Sequence, residues 1–166
     1  MKYDNIVVMG VAGCGKSSVG RMLAEALHAS FIEGDSFHPQ GNIARMSAGI
    51  PLDDSNRADW LASLAERLRQ GRAGKERMVL ACSALKKRYR DILRGAAPGL
   101  LFVHLHGDKA LIAQRMQERS AHFMPTSLLD SQFHDLETPG PDERAIHCDI
   151  SQPPAALLQQ ILQALA

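Results

Sequence analysis

The chain has 166 residues, 45% of them hydrophobic and 22% charged, which is enough apolar material for one domain with a buried core. Lys and Arg number 19 against 18 Asp and Glu, a formal charge of +1, so no field singles out nucleic acid or an anionic membrane as the partner. The opening "MKYDNIVVMG" lacks the regions of a secretory leader, no run approaches the ~18 apolar residues of a membrane span, and Cys14, Cys82 and Cys148 have no metal-like spacing, which together predict a reduced, cytoplasmic protein.

In chain order, "NIVVM" (Asn5 to Met9) predicts a strand, followed by a glycine-rich loop and a helix from about Lys16 to His28. "SFIE" (Ser30 to Glu33) predicts a second, short strand, and the polar segment after it, to Gly49, holds one short helix around Asn42 to Ser47. In "DSNRADWLASLAERLRQG", Trp60, Leu61, Leu64 and Leu68 share a helical face, and Gly71 is a stop signal. A strand at Met78 to Cys82, a basic helix to Arg94, a strand at Leu100 to Leu105 and a helix from Lys109 to Arg119 follow. A last strand at Arg144 to Ile150 leads to a helix opened by Pro153 or Pro154. This alternation implies β-α-β units and a five-stranded parallel sheet covered by helices on both faces. Residues 1–166 form one α/β domain in this reading, with Cys82 and Cys148 buried and Cys14, inside the glycine loop, exposed.

"GVAGCGKS", Gly10 to Ser17, satisfies G-x-x-x-x-G-K-[ST] with a strand before it and a helix after it. Gly10, Gly13 and Gly15 let the backbone curl, so that the N–H groups of the loop, Val11, Ala12 and Cys14 included, converge on a nucleotide phosphate at the positive end of the next helix. Lys16 reaches the β- and γ-phosphates, the Ser17 hydroxyl belongs on Mg²⁺, and Ser18 sits beside them on the first helical turn. The motif says ATP or another nucleoside triphosphate, not what is done with it. No [NT]KxD guanine-reading motif is present and the chain is too short for a motor, so phosphoryl transfer to a small molecule is favoured over a switch.

"EGDSFHP" puts Asp35 just past the second strand, on the edge of the sheet where the phosphate loop opens. A carboxylate there takes or orients the proton of an acceptor hydroxyl, or holds Mg²⁺ through water; an Asx-type turn is the alternative. His38 is either a substrate-hydroxyl contact or a surface residue. His104 and His106, in "HLH", face one side of a strand, with no third ligand at useful spacing, and read as core or rim histidines. Arg57, Arg88, Arg115 and Arg119 are the candidate cations for transferring phosphate or an anionic acceptor. "KKRYR" (Lys86 to Arg90) reads as a solvated helix face, and Tyr89 alone beside it argues against nucleic acid. "ERSAHFMPTS" breaks helical periodicity, as a lid over about residues 119–126 does.

Taken together, "GVAGCGKS", "GDSFHPQGNIARMSAGIPLDDSNRADWL", "ACSALKKRYRDILR", "HFMPTSLLDSQFHDLE" and "DISQP" resemble the gluconate kinases over almost the whole chain. The resemblance implies a nucleoside-monophosphate-kinase-like P-loop fold with a small lid, a dimer, and Mg-ATP-dependent phosphorylation of D-gluconate at its 6-hydroxyl. It implies acceptor-side roles for Asp35, His38, Arg57, Ser83, Arg88 and Gln132, with Lys16, Asp35 and Arg88 catalytic. Arg119, Gln152 and Pro153 fall toward the nucleotide. This chain departs from the "DRxPWL" pattern with Asn56 before Arg57 and Asp59 before Trp60, and Ala121 stands where a glycine often precedes "HF". Asn56 removes a charge that would hold Arg57. Shikimate kinase, the alternative, is expected to show D-x-D after the second strand and a glycine triplet after the third, where this chain has "GDSF" and "CSAL". A nucleotide sensor needs none of the acceptor-side residues.

Overall fold

A computed structural model describes residues 5–118 and 126–166, and the structural statements below concern those residues. Strand β1 (Asn5–Met9) is followed by helix α1 (Lys16–Leu27), then β2 (Ser30–Glu33), a 3-10 turn at Gly34–Phe37, α2 (Gln40–Ser47) and α3 (Asp54–Ala73). Next come β3 (Met78–Ala81), α4 (Lys87–Ala96), β4 (Leu101–His106) and α5 (Lys109–Gln117). A 3-10 turn at Thr126–Leu128, α6 (Leu129–Asp135), β5 (Ala145–Asp149) and α7 (Pro154–Leu165) complete the chain.

All strand pairs are parallel, in the order β2-β3-β1-β4-β5. β1 is central and buried along its whole length, and its side chains alternate between two cores. Ile6 and Val8 meet Val103 and Leu105 of β4 and the apolar faces of α1, α5 and α7. Val7 and Met9 meet Leu80, Phe102 and the Trp60, Leu61, Leu64 and Leu93 side chains of α3 and α4. A strand flanked by helices on both faces has no wet side, which is why "IVVM" reads as unbroken apolar sequence.

Local chemistry sets the helix ends. Asp53 caps α3, accepting from the Asn56 N–H at 2.8 Å, while Asn56 Oδ1 accepts from the Asp53 N–H at 3.2 Å. Pro153 and Pro154 open α7, where a missing N–H costs nothing. Gly71 does not stop α3, which runs on to Ala73; it is a packing glycine, since a side chain there would collide with Met78. α5 ends at Gln117, so Arg119 and the predicted lid over 119–126 fall almost wholly outside the described residues. α6 is an element the sequence reading did not foresee. Among the described residues, no helix is long and apolar enough to cross a membrane.

Arg90 closes the second core from α4. It is fully buried, and its five N–H groups reach the carbonyls of Ala84, Leu85 and Glu137 and both oxygens of Glu143. Burial pushes the Glu143 carboxyl up, but hydrogen bonds from Arg90 and Arg94 outweigh it and hold the group at about 2. A buried guanidinium with every donor used is a rigid joint between the β3–α4 loop and the chain after α6.

Candidate active site

The phosphate loop occupies residues 10–15 between β1 and α1. Gly13 and Gly15 sit at φ +80° and +89°, where other residues are strained, and α1 begins with no acid in its first turn, leaving its positive end open to an anion. Lys16 Nζ folds back onto the Val11 carbonyl at 3.0 Å. The Ser17 hydroxyl donates to Glu33 Oε2 at the end of β2, and the Ala12 N–H donates to Gln132 Oε1 at 2.7 Å. The Gly10 N–H reaches the Ser83 carbonyl at 3.3 Å, joining the loop to the end of β3.

Asp35 lies on the 3-10 turn directly after β2. The turn fits because Gly34 has no side chain; a Cβ there would strike the Ala81 carbonyl. Trp60 of α3, almost fully buried, donates its indole N–H to the Gly34 carbonyl at 2.8 Å and stacks on the His38 ring at 4.3 Å. The Asn42 amide donates to the Asn56 carbonyl at 2.8 Å and meets His38 Nδ1 at 3.3 Å. An amide nitrogen has only donors, so His38 Nδ1 accepts, and the neutral ring carries its proton on Nε2. That Nε2 faces Asp35 Oδ1 at 3.9 Å. Burial lowers the His38 pKa; Asp35 opposes this and Arg57 adds to it. The ring is therefore neutral at pH 7, with an N–H to offer.

One cleft gathers Lys16, Ser17, Asp35, His38, Arg57, Ser83 and Gln132, with Met46 and Leu52 as apolar wall. A second cleft, on the other side of the loop, is lined by Gly13, Cys14, Gly15, Arg115, Gln152 and Pro153, and Arg115 donates to the Ile150 carbonyl at 2.8 Å. Gly13, Gly15 and Ser18 line both, so the phosphate loop is the partition between two cavities. Ser17, Glu33 and Asp35 offer a hydroxyl and two carboxylates at this partition, an all-oxygen set of the kind a hard divalent cation takes.

Several predicted residues stand elsewhere. Arg88 is largely exposed, pairs with Asp54 and does not line the first cleft. It precedes the buried Tyr89 and Arg90 on the solvent side of α4, and the apolar phase of Tyr89, Leu93 and Ala96 carried that signal. Cys14 is buried rather than exposed. His104 and His106 gain a third ring from β5, His147, with His104 and His147 Nδ1 atoms 3.3 Å apart. Even so, no group of three or more His, Cys, Asp or Glu side chains among the described residues is placed to hold a metal ion. Burial, and next the neighbouring His147 and His106, lower the His104 pKa to about 4. Glu33 and Asp135 were missed. Glu33 looked like the last residue of a strand, and Asp135 acts across 78 residues on Arg57.

The comparisons with known proteins agree with one another. The family profile described as an AAA domain matches residues 6–139. The chain is 44% identical over 166 residues to the thermosensitive gluconokinase of Escherichia coli strain K12, covering 99% of this chain and 89% of that one. The crystal structure of a gluconokinase from Sinorhizobium meliloti 1021 superposes with a TM-score of 0.88 at 51% identity, covering 97% of this chain and 90% of that one. A shikimate kinase from Bacteroides thetaiotaomicron aligns with a TM-score of 0.67 at 15% identity over 97% of both chains, a likeness of fold alone.

Proposed function

The chain belongs to the gluconokinase family, and we propose that it transfers the γ-phosphoryl group of ATP to the 6-hydroxyl of D-gluconate, giving 6-phospho-D-gluconate. The observation that carries this reading is the partition: the phosphate loop separates a cleft lined by Asp35, His38 and Arg57 from one lined by Arg115, Gln152 and Pro153. In-line transfer needs acceptor and leaving group on opposite sides of the moving phosphorus. The first cleft takes the sugar acid and the second the nucleotide base.

In this reading Lys16 leaves the Val11 carbonyl for the β- and γ-phosphates, and the loop N–H groups together with the α1 N-terminus hold the anionic oxygens. Asp35 orients the acceptor hydroxyl and takes its proton as the P–O bond forms. His38, fixed by Asn42 and Trp60, donates its Nε2–H to a second hydroxyl of the acceptor. Ser17 and Glu33 would hold Mg²⁺, which supplies charge neutralisation at the phosphates. Arg57 receives the acceptor's carboxylate. Gln132 positions the phosphate loop through Ala12. Arg88, paired with Asp54 outside this cleft, acts only at a distance in this geometry. The assembly we expect is a cytoplasmic homodimer.

An assay of ADP release against D-gluconate, its epimers and shikimate tests the reading. D-gluconate should be the preferred acceptor, and phosphorus-coupled NMR of the product should place the phosphate on carbon 6. Turnover of shikimate in preference to gluconate, or ADP release independent of any acceptor, overturns it.

A further inference from the structure

Arg57 is a buried cation whose orientation is set from outside its own helix. It is about 6% exposed, and a buried guanidinium needs both a counter-charge and acceptors for its N–H groups. Both interactions run through one nitrogen: Nη1 donates to Tyr89 Oη at 3.1 Å and to Asp135 Oδ2 at 3.0 Å. The Tyr89 hydroxyl in turn donates to Asp54, which also pairs with Lys86 and Arg88. Among the described residues, nothing else bonds the Nε and Nη2 edge of Arg57, and the residue lines the acceptor cleft. That edge is the flat, two-donor fork that binds a carboxylate bidentately.

The residue next to Arg57 does not do this work. Asn56, at the position where an acid was expected, is turned back on the Asp53 N–H in the α3 cap. Neighbouring residues on a helix do not face each other in any case. Asp135, the last residue of α6, supplies the missing negative charge. The same short helix carries Gln132 to the phosphate loop. The cluster of Arg57, Lys86 and Arg88 with Asp54 and Asp135 holds three cations and two carboxylates, one positive charge in excess. An anionic acceptor brings the balancing charge.

We propose that Asp135 is the positioning residue for Arg57, holding its free edge toward the acceptor's carboxylate and so selecting an anionic sugar acid. The proposal rests on the reading of Arg57 as the carboxylate ligand. Two opposed effects act on gluconate binding when Asp135 is neutralised: Arg57 loses its orientation, and the cleft gains net positive charge. Orientation dominates here, because the freed guanidinium has a second carboxylate, Asp54, within the same cluster to turn to.

The test is steady-state kinetics and thermal unfolding of Asp135→Asn, Asp135→Glu and Arg57→Ala. D135N should raise KM for gluconate about tenfold or more, with kcat and KM for ATP changed less than about threefold, and D135E should recover most of the loss. A lower or unchanged gluconate KM in D135N overturns the proposal, because charge alone would tighten binding. Equal falls in kcat and Tm with KM unmoved also overturn it, leaving Asp135 a structural ion pair. R57A separates the two levels: if it leaves gluconate KM unchanged, the reading of Arg57 itself is wrong, whatever D135N does.

Discussion

Gln132 Oε1 accepts the backbone N–H of Ala12 at 2.7 Å, joining residues 120 positions apart. The amide that a nucleotide phosphate is expected to take is thus already occupied by a neutral side chain, which holds the loop open in shape without adding charge.

Gln132→Glu keeps that shape and adds a negative charge beside the phosphates. ATP affinity should fall by at least about tenfold, since like charges a few Å apart at a partly wet site cost more than ~1.4 kcal/mol. Gln132→Ala should weaken ATP less, because water replaces the lost acceptor. Titration with ATP by calorimetry distinguishes them, and equal affinities for the two variants would show that the Ala12 contact lies off the nucleotide path.

Lys16→Ala should lower kcat by roughly 10²-fold or more with gluconate and Mg-ATP. The fold itself should survive, because among the described residues Lys16 only bonds back to the Val11 carbonyl of its own loop. Near-normal turnover of K16A would remove the loop from the chemistry.

Asp35→Asn should reduce kcat by something like 10²- to 10⁴-fold while leaving ATP binding nearly unchanged. If Asp35 instead organises Mg²⁺ together with Ser17 and Glu33, raising the metal concentration should restore part of the rate. Measuring rate against Mg²⁺ at saturating gluconate separates proton acceptance from metal organisation, and a wild-type rate at every concentration would reduce Asp35 to a turn residue.

His104 makes stability depend on pH in a definite direction. Its native pKa of about 4 lies below the 6.5 of an ordinary solvated histidine, so between those values the unfolded chain binds a proton that the native protein does not. Stability therefore falls as pH drops, by ~2 kcal/mol from this group between pH 7 and 5. His104→Phe should remove that share while leaving the carboxylate contribution intact. Urea unfolding of both proteins at the two pH values measures the difference, and parallel changes would contradict it.

The fold was legible because its signals are local. "NIVVM" before glycines, "SFIE", "MVLA" and the proline-opened last helix each carry their own period or punctuation, and the observed strands match within a residue or so. Lys16, Ser17, Asp35, His38, Arg57, Ser83 and Gln132 do share one cleft. What sequence could not show was pairing across the chain. Asp135 to Arg57, Glu33 to Ser17 and His147 to His104 are products of the strand order, which brings together residues with no sequence relation. Arg90 was a different failure. It lies in phase with the apolar residues of α4, so the distinction between it and solvent-facing Arg88 was available from the helical period.

The central place of β1 has a consequence during synthesis. Its neighbours are β3 and β4, from residues 78–81 and 101–106, so β1 has no partner until about 70 further residues have been made. Until then "IVVM" is an unpaired apolar edge of the sort that invites association between chains. Even after the central strands join, Gln132 and the Gln152–Pro153 wall arrive later still. With the nucleotide in the cleft proposed for it, ligand stabilisation acts only on chains made past residue 153.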